Sequence, residues 1–165
     1  MLLRDVVVGD VDAYVRMRCD PVMMGGLGGP LPREGMADKV RRDAEEAAAG
    51  TALSKMIVVG AGPDGEVAGH VTVWAHEGVS EIGWMVLPEF QGRGLGKRAV
   101  RALLELAWDE GRWGEIHAFP AVGNGPSNGI CCSLGFRHVG EIDMPFADRV
   151  LRSNHWTITP SPAPP

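Results

Sequence analysis

The stretch Pro88–Val100 reads PEFQGRGLGKRAV, and its chemistry governs the fold assignment. Gly92, Gly94 and Gly96 alternate with Arg93, Leu95 and Lys97, and Arg98 follows, directly ahead of an apolar run. Glycine is a poor helix former, and cations have the wrong sign for a helix start, where four N–H groups point outward with partial positive charge. The usual Ser, Thr, Asp or Asn cap is also missing. Empty, such a segment is unfavourable. Around a multiply charged anion such as a pyrophosphate it becomes favourable, and the glycines let the backbone come close. The plain alternative is a flexible loop with solvated basic residues.

Two phosphate motifs compete for the segment. A Walker loop needs G-x-x-x-x-G-K-[ST]; Gln91 stands at the first Gly and Arg98 at the Ser/Thr, so it is rejected. GLGKRA (94–99) matches the dinucleotide pattern G-x-G-x-x-A and leaves an NAD(P)-binding Rossmann-type oxidoreductase as an alternative. That fold wants its first Gly at a strand end, yet LPEFQGR intervenes after Val86 and Pro88 breaks the strand.

Working outward, 80–86 alternates as a strand, with Ile82, Trp84 and Val86 on one face and Glu81, Gly83 and Met85 on the other. The helix after Gly94 carries a stripe of Ala99, Leu103, Leu104 and Ala107 and ends at Gly111. Strands are expected at 2–8, 55–60, 66–75, 115–121, 136–144 and 150–159, with AGPDG joining the second and third as a hairpin. Asp10 is expected to cap a helix to Arg18. Residues 20–32 read as Gly/Pro turn chemistry, 34–49 as a helix stopped by Gly50, and 126–134 as a short helix. The order β-α-α-β-β-β-α-β-α-β-β makes one mixed α/β domain over 1–159, with a disordered Pro-rich tail at 160–165.

QGRGLG (91–96) fits Q/R-x-x-G-x-G/A, with the strand EIGWMVLPEFQ before it and an amphipathic helix after it. NGPSNGICCSLGF (124–136) is similar to an N-x-x-(A/S) helix ending in G-F. By these motifs the chain resembles the GNAT N-acetyltransferases. DPVMMGGLGGPLP (20–32) looks like the first-helix region of the RimJ/RimL-like branch, which acetylates ribosomal-protein N-termini among other amines. The resemblance covers nearly the whole chain. It implies a GNAT fold: a twisted, mostly antiparallel sheet splayed in a V between its middle strands, flanked by about four helices. The implied cofactor is acetyl-CoA and the implied activity is direct acetyl transfer to an amine in a ternary complex. A catalytically silent acyl-CoA sensor of the same fold is the rival.

By the same resemblance, backbone groups of Met85, Val86 and Leu87 pair with the pantetheine arm. Amides from Gly92 through Arg93, Gly94, Leu95 and Gly96 to Lys97 hold the pyrophosphate, Arg93 and Lys97 neutralise it or the 3′-phosphate, Gln91 belongs to the same coenzyme-binding set, and Asn124 bonds the pantetheine. Glu81 is the base candidate; an ordinary Glu, with pKa about 4.3, needs desolvation for the role. Its bland reading is a solvated strand residue. His70 and His117 are rival bases, each open to a plain packing role. Many family members carry a Tyr five residues before the Phe of G-F; here that position is Cys131, and the only Tyr is Tyr14. Ser127 is the substitute proton donor, or a helix-turn residue. Cys131 and Cys132 read as packing residues, and Met23 and Met24 as acceptor-side contacts or ordinary core.

Composition bounds the rest. The chain has 165 residues, 45% of them apolar, and a net charge of −5, which argues against a general nucleic-acid binder. Four of its sixteen Lys and Arg lie within 93–101. Three cysteines, two of them adjacent, make no disulfide framework and no zinc spacing, and the expected home is a reducing cytoplasm. Neither a signal peptide nor a membrane span is expected. The partner is an amine of unread identity, and a homodimer is plausible for this class although no residue here specifies it.

Overall fold

Strand β1 (Leu2–Asp5) leads through a 3-10 turn at Val8–Asp10 into α1 (Val11–Arg18). The structure is a computed structural model that describes residues 1–159; the tail expected to be disordered lies outside the described residues. Asp10 does not cap α1. Its carboxylate turns back to accept the Val7 N–H at 2.9 Å and pairs with Arg4 at 2.7 Å. That turn also stops β1 short of the expected 2–8.

Residues 20–32 are more ordered than their Gly/Pro content suggests. Asp20 accepts N–H bonds from Val22 and Met23 at 2.8 and 2.9 Å, and Pro21 occupies the first helical position. Asp-Pro is thus a cap followed by a residue already set at helical φ. The result is α2 (Pro21–Met24), one helix more than expected, with a 3-10 turn at Gly25–Leu27 behind it. Helix α3 (Met36–Ala49) ends where Gly50 turns left-handed.

The remaining elements keep the expected order, with the strand expected at 115–121 cut to 116–118 and the one expected at 55–60 moved to 52–59. They are β2 (Ala52–Val59), β3 (Glu66–His76), β4 (Val79–Val86), α4 (Leu95–Glu110), β5 (Ile116–Ala118), α5 (Gly125–Ser133), β6 (Arg137–Phe146) and β7 (Arg149–Ile158). One seven-stranded sheet runs in the order β1-β2-β3-β4-β5-β7-β6. Every neighbouring pair is antiparallel except β4 with β5. This excludes the doubly wound parallel sheet of the dinucleotide alternative.

The period of two sorts the sheet into two faces. Val71, Val73 and Ile82 are buried on one, against the α4 stripe of Ala99, Val100, Leu103, Leu104 and Ala107. On the other, Met56 and His70 lie under α1 and α3, which contribute Tyr14, Met17 and Val40. The parallel pair is the interruption. Strands β4 and β5 align only at Ser80↔Ile116 and Glu81↔His117. Past Glu81 they part, so Ile82–Val86 keep β3 on one side and an open wedge on the other. No helix among the described residues is long and apolar enough to cross a membrane.

Candidate active site

The segment after the wedge is built from turns. Pro88–Phe90 form a 3-10 turn, with Phe90 N–H on Leu87 O at 2.9 Å and Gln91 N–H on Pro88 O at 3.2 Å. Gly92 and Gly94 then take φ of 73° and 70°, the left-handed region that favours glycine, and Gly94 starts α4 with no side-chain cap. From Gly92 to Lys97 no backbone N–H meets a protein acceptor among the described residues; the next, Arg98, bonds Gly94 O at 3.1 Å. Six successive free amides therefore converge at a helix start.

Charge adds to them. Arg93, Lys97, Arg98 and Arg101 form no ion pair among the described residues. The Arg93 guanidinium lies over the Phe90 ring at 5.5 Å. Leu95 sends its side chain into the core and leaves only its amide outward. Gly96 has a different reason to be glycine: a Cβ there would stand 3.1 Å from Ile130 Cδ1 and 3.4 Å from Val86 Cγ2. It lets α4 pack closely on α5 and β4.

Strand alternation corrects one expectation. Leu87 N–H is spent on Ala68 O at 2.8 Å, and the Met85 carbonyl faces Gly69, where a Cβ would lie 2.2 Å from it. Met85 and Leu87 therefore turn their backbone groups to β3, not to the wedge. The alternate residues, Trp84 and Val86, turn theirs toward it. Of the three residues expected to pair with a pantetheine arm, Val86 alone has the orientation, and Trp84 joins it. Gln91 Nε2 donates to Val86 O at 2.9 Å.

The wedge opens into a cavity of about 550 Å³. Glu81 and Met85 line it from β4, Asn124 and Ser127 from the start of α5, and Met24 and Phe146 from outlying segments. Glu81 stands at the apex, where β4 meets β5. Burial pushes its carboxyl above the ordinary carboxylate range, while His76 and His117 pull it part of the way back. The rival bases fare differently. His70 is 2% exposed, bonds Ser54 Oγ through Nε2 at 2.8 Å, and is pushed down to about 3, chiefly by burial. His117 spends Nδ1 on His155 Nε2 at 2.7 Å and is not among the cavity-lining residues.

Around α5 the roles divide. Asn124 Oδ1 accepts the Ser127 N–H at 3.1 Å, which makes Asn124 the helix cap and leaves its amide NH₂ for other partners. Ser127 brings its side chain to the cavity wall. Cys131 is fully buried, and burial pushes its thiol up to about 12, so it is a packing residue. Cys132 is exposed, and neither is in a disulfide. Met24 is buried and lines the cavity, whereas Met23 only packs against the core.

Two features lie outside the patterns that marked the site in the sequence. Asn128 donates to Ala121 O and Asn124 O at 2.9 and 2.8 Å and accepts from Asn154 and Trp156 at 2.8 and 2.9 Å. It ties α5 to β7, and its spacing of four from Asn124 was the one available hint. Arg149, at the β6–β7 turn, donates to Leu27 O and Gly29 O at 3.4 and 3.2 Å and closes the hairpin over the 25–29 turn. Its partners lie 120 or more residues away in sequence, so only the fold reveals it.

A split antiparallel sheet, free amides at a helix start beside the split, and a half-buried carboxylate at its apex define an acyltransferase whose acyl donor carries a diphosphate. A family model described as "Acetyltransferase (GNAT) domain" matches residues 1–137, and the chain belongs to that family. It is an acetyl-CoA-dependent N-acetyltransferase. Among solved structures, a GNAT acetyltransferase from Bacillus anthracis shares 20% identity over 96% of this chain and 93% of that one, with a TM-score of 0.79. The Salmonella typhimurium acetyl transferase that modifies the N-terminal serine of a 50S ribosomal subunit protein shares 19% over 96% and 94%, at 0.77. RimJ of Mycobacterium smegmatis, solved with CoA-disulfide, shares 21% over 95% and 80%, at 0.74.

Proposed function

We propose that residues 1–159 act as one acetyltransferase domain whose acceptor is a weakly basic primary amine, with Glu81 as base and Ser127 as proton donor to the leaving thiol. The observation that carries this reading is the position of Glu81: a carboxyl raised by burial, on the cavity wall, where the split strands meet. A raised carboxyl is a better base near neutrality and still a modest one. Freeing a Lys amine of pKa about 10.4 at pH 7 costs roughly 4–5 kcal/mol, against about 1 for an α-amine near 8. The weaker demand suits this site. The fold-level likeness to enzymes acting on protein N-termini points the same way.

The site residues fit a coenzyme A tail. The six amides of Gly92–Lys97, with Arg93 and Lys97 beside them, suit a diphosphate, since the helix start favours anions and has no internal cap. Trp84 and Val86 offer backbone groups along the wedge, and the free Asn124 amide offers a donor at its far side. Bound, acetyl-CoA supplies the activated thioester carbonyl. The chain's own part is to hold a donor toward that oxygen, for which the Val86 N–H is oriented, and to take a proton from the amine at Glu81. With Tyr replaced by a buried Cys131, Ser127 is the hydroxyl at hand for the thiol.

Acetyl-CoA titrated calorimetrically into the protein, followed by assay of CoA release with a panel of amines, tests the reading. Saturable binding with faster turnover of α-amines than of Lys side chains supports it. Binding without turnover across the panel would return the silent sensor.

A further inference from the structure

We infer that the acceptor is a small amine that also carries a carboxylate or phosphate, received by the guanidinium of Arg18 several bonds away from the reacting nitrogen. This rests on the acetyltransferase reading of the same cavity and adds the substrate class to it. Arg18 is the last residue of α1 and lines the cavity. Its guanidinium lies 5.7 Å from the centroid of the Tyr14 ring, and Tyr14 is fully buried. The cation thus rests on a rigid wall.

Among the described residues Arg18 makes no ion pair within 4.0 Å and no side-chain hydrogen bond. The carboxylate whose field reaches it is that of Asp43, and that carboxylate is committed elsewhere. Asp43 accepts the Tyr14 hydroxyl at 2.7 Å and the Lys39 ammonium at 3.0 and 3.1 Å. Burial weakens the hold of Arg18 on its proton, which is the signature of a charge without a full partner. Arg18 is half-buried, a guanidinium remains charged in proteins, and leaving such a charge without a partner is costly. Its planar fork of donors matches a carboxylate or phosphate in two parallel bonds.

The register of the sheet gives the spacing. Arg18 lies over the Tyr14 ring, the Tyr14 hydroxyl is 3.3 Å from His70 Nε2, and His70 aligns with Met85 on β4. Glu81 aligns with Trp74. Positions 70 and 74 are four residues apart, about 13 Å along a strand. Side chains leaning toward each other shorten that span without closing it, so amine and anion sit at opposite ends of the acceptor. Arg42 lines the same wall and adds a second cation; Glu46 lines it as well and narrows the choice of anion position to the Arg18 side. The β6–β7 hairpin, pinned by Arg149 to Leu27 and Gly29, roofs this part of the cavity. A roofed pocket favours a small acceptor over a peptide, although an acidic side chain would offer the same chemistry.

The experiment uses the full chain with acetyl-CoA and a graded series of glycyl-ω-amino acids, whose reacting α-amine has a pKa near 8, with their carboxamides, the matching glycyl-aminoalkyl phosphates, and short peptides with one acidic residue. The expected result is a kcat/KM at least tenfold higher for carboxylates or phosphates than for the matching carboxamides, with one preferred length. Arg18→Met is expected to bring that ratio close to one, and Arg18→Lys to keep part of it. Equal rates for carboxylates and carboxamides in the natural protein overturn the inference, as does a ratio that survives in Arg18→Met. A preference confined to acidic peptides overturns the small-molecule assignment. Should no amine turn over, titration of the same pairs into the CoA-loaded protein reads the preference, and equal affinities overturn it. Failure of acetyl-CoA to bind the natural protein defeats the acetyltransferase reading itself. Coenzyme binding with no carboxylate preference defeats only the role of Arg18. If Arg18→Met does not fold, the natural ratio and Arg18→Lys decide.

Discussion

The Gln91 side chain reaches back to the strand it has just left: its Nε2 donates to Val86 O at 2.9 Å. That carbonyl faces the wedge, at the end of β4 farthest from where β5 departs. The bond sets how the chain leaves β4 and hence where the Gly92–Lys97 amides point. An exposed hydrogen bond of this kind is worth about 1 kcal/mol, or roughly fivefold in affinity. Gln91→Ala is therefore expected to raise the Kd for acetyl-CoA about fivefold while the melting temperature changes little. A calorimetric titration reads it, and an unchanged Kd would show that the amides keep their aim without Gln91.

Glycines 94 and 96 do different work, and substitution separates them. Gly94 has space for a Cβ but sits at φ 70°, where an L-residue costs about 1–2 kcal/mol. Gly94→Ala is expected to lower the melting temperature by about 2–4 °C per kcal/mol in a chain of this size. Gly96 has ordinary helical φ, and a Cβ meets the flexible tip of Ile130 at 3.1 Å. Gly96→Ala should cost little, whereas Gly96→Val should be clearly destabilising by overpacking. Thermal melts of the three variants give the order; Gly96→Val as stable as the natural protein would contradict the packing argument.

What could be read in the sequence was what is local. Apolar periodicity marked α4 and its stripe, Gly50 and Gly111 marked two helix ends, and AGPDG marked the β2–β3 hairpin. The amide run was legible because its chemistry is written in consecutive residues. The split between β4 and β5 was implied only by family resemblance, since no residue in 80–86 announces where a neighbour departs. Asp10 and Asp20 show how composition misleads: each is a capping residue type, but Arg4 and Val7 claim the first, and Pro21 turns the second into the start of an unexpected helix. Backbone direction at Met85 and Leu87 follows from strand phase, which needs the pairing partner β3 to be known. Arg149 and Arg18 gain meaning only through contacts between distant segments.

Glu81 should show activity and stability moving in opposite directions. As the base it must be ionised, so kcat/KM is expected to fall as pH drops through a pKa above the ordinary carboxylate value. Because its folded pKa is raised, Glu81 contributes stability that is present at low pH and is lost as pH rises through that folded value. Glu81→Gln removes the half-buried charge. It is expected to lose about 10²–10⁴ in kcat and to be at least as stable as the natural protein at neutral pH. Loss of activity together with loss of stability would mark Glu81 as a structural residue.

His70 should make the fold acid-sensitive. It lies 2% exposed between Ser54 and Tyr14, and its folded pKa is pushed down to about 3 from an ordinary 6.5. Between those values the unfolded chain takes up a proton that the folded chain refuses, so stability falls as pH falls from about 6.5 toward 3. Replacing the ring with an uncharged amide removes that proton. The melting temperature of His70→Gln should be lower at pH 7, where buried hydrogen bonds are lost, but its decline below pH 6.5 should be shallower. Parallel pH curves for the two proteins would mean that other groups govern the acid transition.

Arg149 clasps two segments that both line the cavity, the 25–29 turn through Leu27 and the β6–β7 hairpin through Phe146 and Leu151. Its aliphatic stem lies against Gly28, where a Cβ would come 2.5 Å from Arg149 Cδ, and its Nη1 reaches the carbonyls of Leu27 and Gly29. Gly28 has φ 86°, so both its backbone and its lack of a side chain serve this contact. None of these groups is near the Gly92–Lys97 amides in the chain or on the sheet. Arg149→Ala is expected to raise KM for the amine severalfold while leaving KM for acetyl-CoA nearly as it was, and Gly28→Val should do the same by pushing the stem away. The split between the two KM values is the diagnostic: if both rise together, the hairpin supports the coenzyme side of the wedge and not an acceptor roof.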